Sequence, residues 1–274
     1  MMCRLHGVTR AGFYAWTGRT AGVRQRADEA LCQEIERVHT QSRGYYGSPR
    51  IHAQLRQQGH AVGRRRVARL MRLCGLQGRS ARNTRRSSAA QRAFFTSVPN
   101  RQRKLQLSQP DQVWVGDVTY LRVNRQWRYL ATVMDKYSRR VLGWSLGHKR
   151  DAALTTQALQ HATRKRNARP GLVFHTDRGM EYAALEFKRM LERQGFIQSM
   201  NRPGKMNDNA HMESFFHSMK TEGLHGMNFD TDTALHRELH NYIRFYNQQR
   251  LHSSLDYLAP AAFESQLAYQ SGVN

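Results

Sequence analysis

Three carboxylates are placed where a carboxylate is hard to keep. Asp117 lies inside WVGDVTYL, flanked by Val115 and Val118. Asp177 ends the apolar run GLVFHTD, and Glu213 opens the helical pattern of DNAHMESFF beside Phe215 and Phe216. The intervals between them hold 59 and 35 residues. An ionised side chain among β-branched neighbours is unfavourable unless it has a partner. Three such acids brought together would repel one another, and a divalent cation relieves the repulsion. Magnesium suits hard oxygen ligands. Two such ions about 4 Å apart activate a nucleophilic oxygen and stabilise the leaving oxygen of a phosphodiester. Spacing and charge alone leave this as one hypothesis among several, because single acids at element ends are commonly solvated or capping. Asp151 reads as such a helix cap, and Asp135 as a turn residue.

The charge around these acids points to the substrate. The chain of 274 residues has a formal net charge of +24 and 39% hydrophobic residues. That is enough for one sizeable core and a small second domain. The excess is uneven: residues 1–110 hold 22 Lys and Arg against 4 Asp and Glu, and residues 111–274 hold 22 against 16. A polyanion is the expected partner, gripped mainly by the N-terminal part. A ribosomal or histone-like protein would share the charge but less often carries 4 Trp and 11 Tyr. Cys3, Cys32 and Cys74 fall in no paired spacing and read as free thiols in a reducing compartment. No run of about 18 apolar residues is present, so no membrane span is expected, and the first residues lack a signal-peptide core.

The elements that must position the acids follow from periodicity. Residues 26–42 place Leu31, Ile35 and Val38 at helical spacing. Ser48-Pro49 predicts a second helix, with Ser as cap, ending at Gly59, and residues 63–76 a third. The last two suggest a helix-turn-helix whose second helix opens with Arg64, Arg65, Arg66 and then Arg69, the end that meets a major groove. Residues 77–110 are basic, Ser-rich and weakly periodic, as in a linker. From residue 111 the pattern predicts strands at 112–123, 126–135 and 139–147, joined by short turns into a meander. A helix at 151–166, a strand at 171–177, a helix at 184–195 and a strand at 196–200 follow. The order is that of an α/β fold with a mixed sheet. Helices at 231–249 and 258–267 close the chain. The partition read from this is 1–25, an N-terminal helix; 26–78, helix-turn-helix; 79–108, linker; 109–268, catalytic core; and 269–274, tail.

Taken together, WVGDVTYL, HTDRGMEY, SMNRPGKMNDNAHMESFFHSMKTE and YIRFYNQQRLHSSLDYLAPAAF resemble the second-reading-frame transposases of the insertion-sequence 3 family. YYGSPRIHAQLR and VGRRRVARLMRLCGL resemble the helix-turn-helix that precedes their core. The likeness covers nearly the whole chain. It implies a ribonuclease-H-like five-stranded sheet of the retroviral-integrase kind, preceded by a small all-α domain. It also implies that Asp117, Asp177 and Glu213 are a D-D-E triad binding two Mg²⁺ (or Mn²⁺). Water would cleave at a transposon end, and the freed 3′-hydroxyl would then attack a second phosphodiester. Lys220, two helical turns after Glu213, would contact phosphate at the transposon end. The implied partners are double-stranded DNA, further copies of the chain on that DNA, and an upstream-frame product as fusion or partner. The implied location is the bacterial cytoplasm at the nucleoid. Met180, Glu181, Met206 and Asn207 depart from the commoner pattern and put loop packing, not chemistry, in doubt.

Other candidates weigh less. His236 and His240 have helical metal-ligand spacing but no evident third ligand. His175, His211 and His217 lie near the acids in sequence and read first as structural. Tyr246, Asn247, Arg250 and His252 match the family's C-terminal motif and are expected to pack on the core. Two alternatives to a strand transferase remain: a DNA-binding regulator or frame product inactive alone, and a simple nuclease of the same fold.

Overall fold

The computed structural model describes residues 7–18, 22–78, 98–203 and 206–270. The chain divides into two compact units, Met1–Arg79 and Ser80–Asn274. The first is helical: α1 (Arg10–Thr17), α2 (Val23–Gln41), α3 (Ser48–Gln57) and α4 (Arg64–Leu73). Its core is the predicted apolar stripe, Leu31, Ile35 and Val38 of α2, against Ile51 and Leu55 of α3 and Val67, Leu70 and Met71 of α4. Gly47, rather than Ser48, takes the extended cap conformation of α3, and Pro49 sits in its first turn, where its missing N–H is no loss.

The second unit is built on a five-stranded sheet of order β3-β2-β1-β4-β5. β1 (Val113–Val123), β2 (Gln126–Asp135) and β3 (Val141–Gly147) form the antiparallel meander. Asn124 and Arg125, both at positive φ, make the two-residue turn favoured by strand twist. β4 (Val173–Thr176) pairs parallel with β1, and β5 (Ile197–Met200) parallel with β4. α5 (Ala152–Lys165) opens on Asp151, which accepts from the Leu154 amide at 3.0 Å, as the sequence predicts. A Cβ at Gly143 of β3 would stand 2.2 Å from the Ala158 carbonyl. Only glycine lets this helix lie so close on the sheet.

On that face Trp114, Val118, Ala131, Val133, Leu142 and Phe174 pack with α5 and with α7 (Leu185–Arg193) in one apolar cluster. A short helix, α6 (Met180–Ala183), follows β4, where the sequence shows no helical period. After β5 come α8 (Ala210–Ser218), a π-helical turn (Met219–Gly223), α9 (Asp232–Gln248) and α10 (Pro260–Gln270). Phe215 of α8 meets Tyr246 of α9 edge-on at 4.9 Å. The C-terminal motif packs on the core as expected. Asn247 clamps the Val141 amide and carbonyl at 2.9 Å each. Buried Arg250 holds Glu222 through two bonds of 2.6 and 2.7 Å. The architecture is the ribonuclease-H-like mixed sheet with flanking helices, preceded by a helical unit.

The stretch read as a linker lies partly outside the described residues. Its later part is not a tether. Val98 packs against the core cluster, the Arg101 amide donates to Ser199 Oγ at 2.9 Å, and buried Gln102 donates to the Asp208 carbonyl at 2.6 Å. No described helix is long and apolar enough to cross a membrane.

Candidate active site

The β1–β4 pairing decides where the first two acids go. Its last register pair is Gly116 with Thr176, so the next residue on each strand is Asp117 and Asp177. Parallel neighbours therefore deliver two carboxylates side by side at the end of β4. A Cβ at Gly116 would lie 2.9 Å from Phe174 Cζ, so the strand approaches its neighbour closely here because it has no side chain. Both acids are half-buried. Asp117 Oδ1 accepts from the Val118 amide at 2.7 Å, and Asp177 Oδ1 from the Gly179 amide at 2.9 Å. Burial pushes the Asp117 carboxyl well above the usual range, and the charge of Asp177 pushes it further. Burial raises Asp177 too, opposed by Arg150. The Asp177 charge thus makes Asp117 harder to ionise, a repulsion that a bound cation would relieve.

Glu213 is carried to the same end of the sheet. Asn209, just before α8, donates from Nδ2 to the Gly116 carbonyl at 3.1 Å, and Glu213 is one helical turn further on. Asp208 fixes the approach to the helix, accepting from Asn100 Nδ2 at 2.9 Å and Arg202 Nη2 at 2.9 Å. Glu213 itself is exposed. Among the described residues no three His, Cys, Asp or Glu side chains stand close enough to hold a metal ion. Two of the expected three acids are therefore gathered, and the third stands apart on its helix. The donor set fits a hard divalent cation at Asp117 and Asp177: two adjacent carboxylates whose mutual repulsion a cation would relieve. Asn209 Oδ1 is buried with no hydrogen-bond partner among the described residues.

Lys220 does not continue the face of Glu213 by simple α-helical periodicity. It lies in the π-helical turn, where the wider turn resets the phase. Its Nζ stands 4.6 Å from the centroid of the Tyr120 ring on β1. Tyr120 meets Trp127 edge-on at 5.0 Å, and Arg122 lies over Trp127 at 4.9 Å. Both rings are exposed, so an aromatic pair on the β1–β2 hairpin is flanked by Lys220 on one side and Arg122 on the other.

In the helical unit the four predicted arginines divide into two pairs. Arg64 and Arg65 are exposed. Arg66 and Arg69 reach back to Asp28 of α2 at 2.7 and 2.5 Å.

Two family models, each described as an integrase core domain, match residues 108–206 and 213–267, and the HTH-like domain family matches residues 25–84. Transposase InsF for insertion sequence IS3A of Escherichia coli is 36% identical over 267 residues, 96% of this chain and 93% of that protein. An uncharacterized 31 kDa protein of insertion element IS600 from Shigella sonnei is 35% identical over 263 residues, 96% of this chain and 97% of that protein. The chain belongs to the IS3 transposase family. It is a transposase of the DDE-type polynucleotidyl transferase class, with DNA as its partner. Among solved structures, the HTLV-2 integrase catalytic core domain in complex with magnesium overlaps at a TM-score of 0.44 and 18% identity, over 57% of this chain and 97% of that chain.

Two residues beside the acid pair, Arg150 and Glu181, are ones that the sequence does not mark as part of this cluster. Buried Glu181 accepts from Arg150 Nε at 2.8 Å, and Arg150 Nη2 also stands 3.5 Å from Asp177 Oδ2. This departure from the family pattern bears on more than loop packing: Glu181 reaches the acid pair through Arg150, and its charge helps raise both Asp117 and Asp177. The only sequence signal was its acidic type four residues after Asp177. His175, between Ser199 Oγ at 2.8 Å and Asn201 Oδ1 at 2.7 Å, is structural, as expected; burial pushes it down to about 4. His236 stacks on Trp144 at 4.7 Å and joins no metal-binding group among the described residues.

Proposed function

We propose that Asp117, Asp177 and Glu213 are the acids that bind two Mg²⁺ (or Mn²⁺) ions and carry out cleavage at a transposon end followed by strand transfer to target DNA. The observation that carries this reading is the delivery of Asp117 and Asp177 to adjacent ends of two parallel strands, with raised carboxyl affinities for protons. When bound, the ions supply activation of the attacking oxygen and stabilisation of the leaving oxygen. Asp117 and Asp177 hold rigid positions on the sheet. Glu213 completes the set from the start of α8, whose seat is fixed by Asn209. Lys220, held over Tyr120, binds a phosphate of the transposon end, and Arg64 and Arg65 of α4 face duplex DNA, supported by Arg66 and Arg69. The protein works as a homo-oligomer on DNA in the bacterial cytoplasm.

Incubation with Mg²⁺ and transposon-end DNA should give cleaved and joined products. Asp117→Asn, Asp177→Asn and Glu213→Gln should each abolish both products while DNA binding persists; joining by any one of them would sink the assignment. Lys220→Ala should weaken end binding. A second reading is favoured by the exposed position of Glu213: the site is completed only with the upstream-frame product, as fusion or partner. Products from the fusion, and none from the isolated chain, would select it.

A further inference from the structure

The helical unit carries a pair of side chains that no step of transposition uses. Cys32, in the middle of α2, and Cys74, the residue that closes α4, are 42 positions apart, yet their sulfur atoms stand 3.0 Å from each other. Non-bonded sulfurs in ordinary van der Waals contact are farther apart than this, and a disulfide needs about 2.05 Å. An approach of about one ångström separates the two thiols from a bond. Both are half-buried. Cys32 also lines an open groove with Asp28, Arg69, Leu70 and Leu73, which gives a small oxidant access to the pair.

We propose that Cys32 and Cys74 are a redox modification site, closing to an intrachain disulfide when the protein meets a peroxide. Burial pushes the Cys32 thiol up to about 11, with Cys74 beside it adding to the rise. The thiolate is the nucleophile, so this rise slows attack by Cys32 and leaves Cys74 as the attacking sulfur. Its sulfur attacks one peroxide oxygen and the O–O bond breaks, leaving a sulfenic acid and releasing water. The Cys32 sulfur then attacks that sulfenic sulfur. The S–O bond breaks, the S–S bond forms, and hydroxide leaves as water with the proton lost from Cys32. Two electrons pass from the two sulfurs to the peroxide, and a dithiol reverses the step.

The bond would sit at a mechanically useful place. Asp28 already holds the first half of α4 to α2 through Arg66 and Arg69. The disulfide would fasten the other end of α4, the helix with the exposed arginines, to the same partner. The loop it closes spans most of the three-helix core, so the unfolded unit loses much of its freedom.

The test uses the full chain and hydrogen peroxide. The protein has three cysteines, and titratable thiols should fall from three to one and return with dithiothreitol. Digestion without reductant should yield one peptide joining Cys32 to Cys74. A Cys3→Ser chain should fall from two thiols to none, and a Cys32→Ser/Cys74→Ser chain should lose none. If the linked peptide contains Cys3, if cross-linked dimers carry the bond, or if the thiol count does not fall while the protein remains folded by circular dichroism, the assignment is wrong. In native protein the oxidised unit should also resist proteolysis at α4 at least about 10-fold longer than the reduced one, since the stabilisation expected for such a loop exceeds one factor of ten.

Discussion

Asn209 donates its side-chain amide to the backbone carbonyl of Gly116, 3.1 Å away. One hydrogen bond thereby ties the start of the Glu213 helix to the strand position beside Asp117. Asn209→Ala removes a buried donor and leaves the carbonyl unpaired, which costs about 1–3 kcal/mol of stability. The catalytic effect should be larger than the loss of folded protein explains, because α8 loses its seat. Strand-transfer rates at a temperature where the variant is fully folded would measure this. A wild-type rate there would show that Glu213 is positioned by other contacts.

Arg150 and Glu181 form the second coupling. Arg150 joins Glu181, whose side chain is 3% exposed, to Asp177. Arg150→Met leaves a carboxylate buried without its cation. Complete burial of both partners would make that loss about 3–5 kcal/mol; with Arg150 39% exposed, solvent reduces it to about 1–3 kcal/mol. Adding Glu181→Gln should recover most of the stability, since the uncompensated charge goes too. Denaturant unfolding of the two single variants and the double variant gives the coupling; additive losses would mean that the pair does not act as a unit.

These two couplings mark what the sequence discloses and what it hides. The meander, the Asp151 cap and the stripe of Leu31, Ile35 and Val38 were legible because each depends on residues close in the chain. Asp117 and Asp177 were legible by type, being charges in apolar strands. Their adjacency, however, depends on the parallel β1–β4 pairing, which no local period encodes. Arg150 meets Glu181 across 31 positions, and Glu222 meets Arg250 across 28; no local period pairs either one with its partner. The π-helical turn was invisible because Glu213 to Lys220 fits two α-helical turns equally well on paper. Residues 98–104 read as linker because their partners, Ser199 and Asp208, lie about a hundred positions away.

Asp135 offers a pH-dependent test away from the acid pair. Its carboxylate is fully buried at the end of β2, accepts from the amides of Asp111 and Ser138, and is pushed up to about 6 by burial. The folded state therefore binds its proton more tightly than the unfolded state, whose value is near 3.9. Between about pH 4 and 6 the folded form holds more protons, so this group's contribution to stability falls as pH rises and is constant above. Asp135→Asn cannot titrate. It should be destabilising at every pH, because its amide opposes the Asp111 N–H, but the deficit against wild type should shrink by roughly 2–3 kcal/mol from pH 4 to pH 7. Urea unfolding of both proteins at the two pH values measures the change; a deficit that grows with pH would mean that Asp135 is ionised throughout.

The arginines of α4 should separate by role. Arg64 and Arg65 are exposed, so replacing either with Ala should weaken DNA binding at all sequences and reduce the slope of log affinity against log salt by about one. Arg66 and Arg69 both serve Asp28. Replacing either of these with Ala should first lower the melting temperature of the helical unit, and Asp28→Ala should do the same without removing a positive charge. Asp28→Ala also releases two guanidinium groups, so its affinity for duplex DNA should hold or rise while its stability falls. The arginine variants lose both. Melting curves together with salt-dependent binding of the variants distinguish the roles. An equal salt-slope change for Arg64, Arg65, Arg66 and Arg69, with no loss of melting temperature, would place all four on the DNA and make the Asp28 pairing incidental.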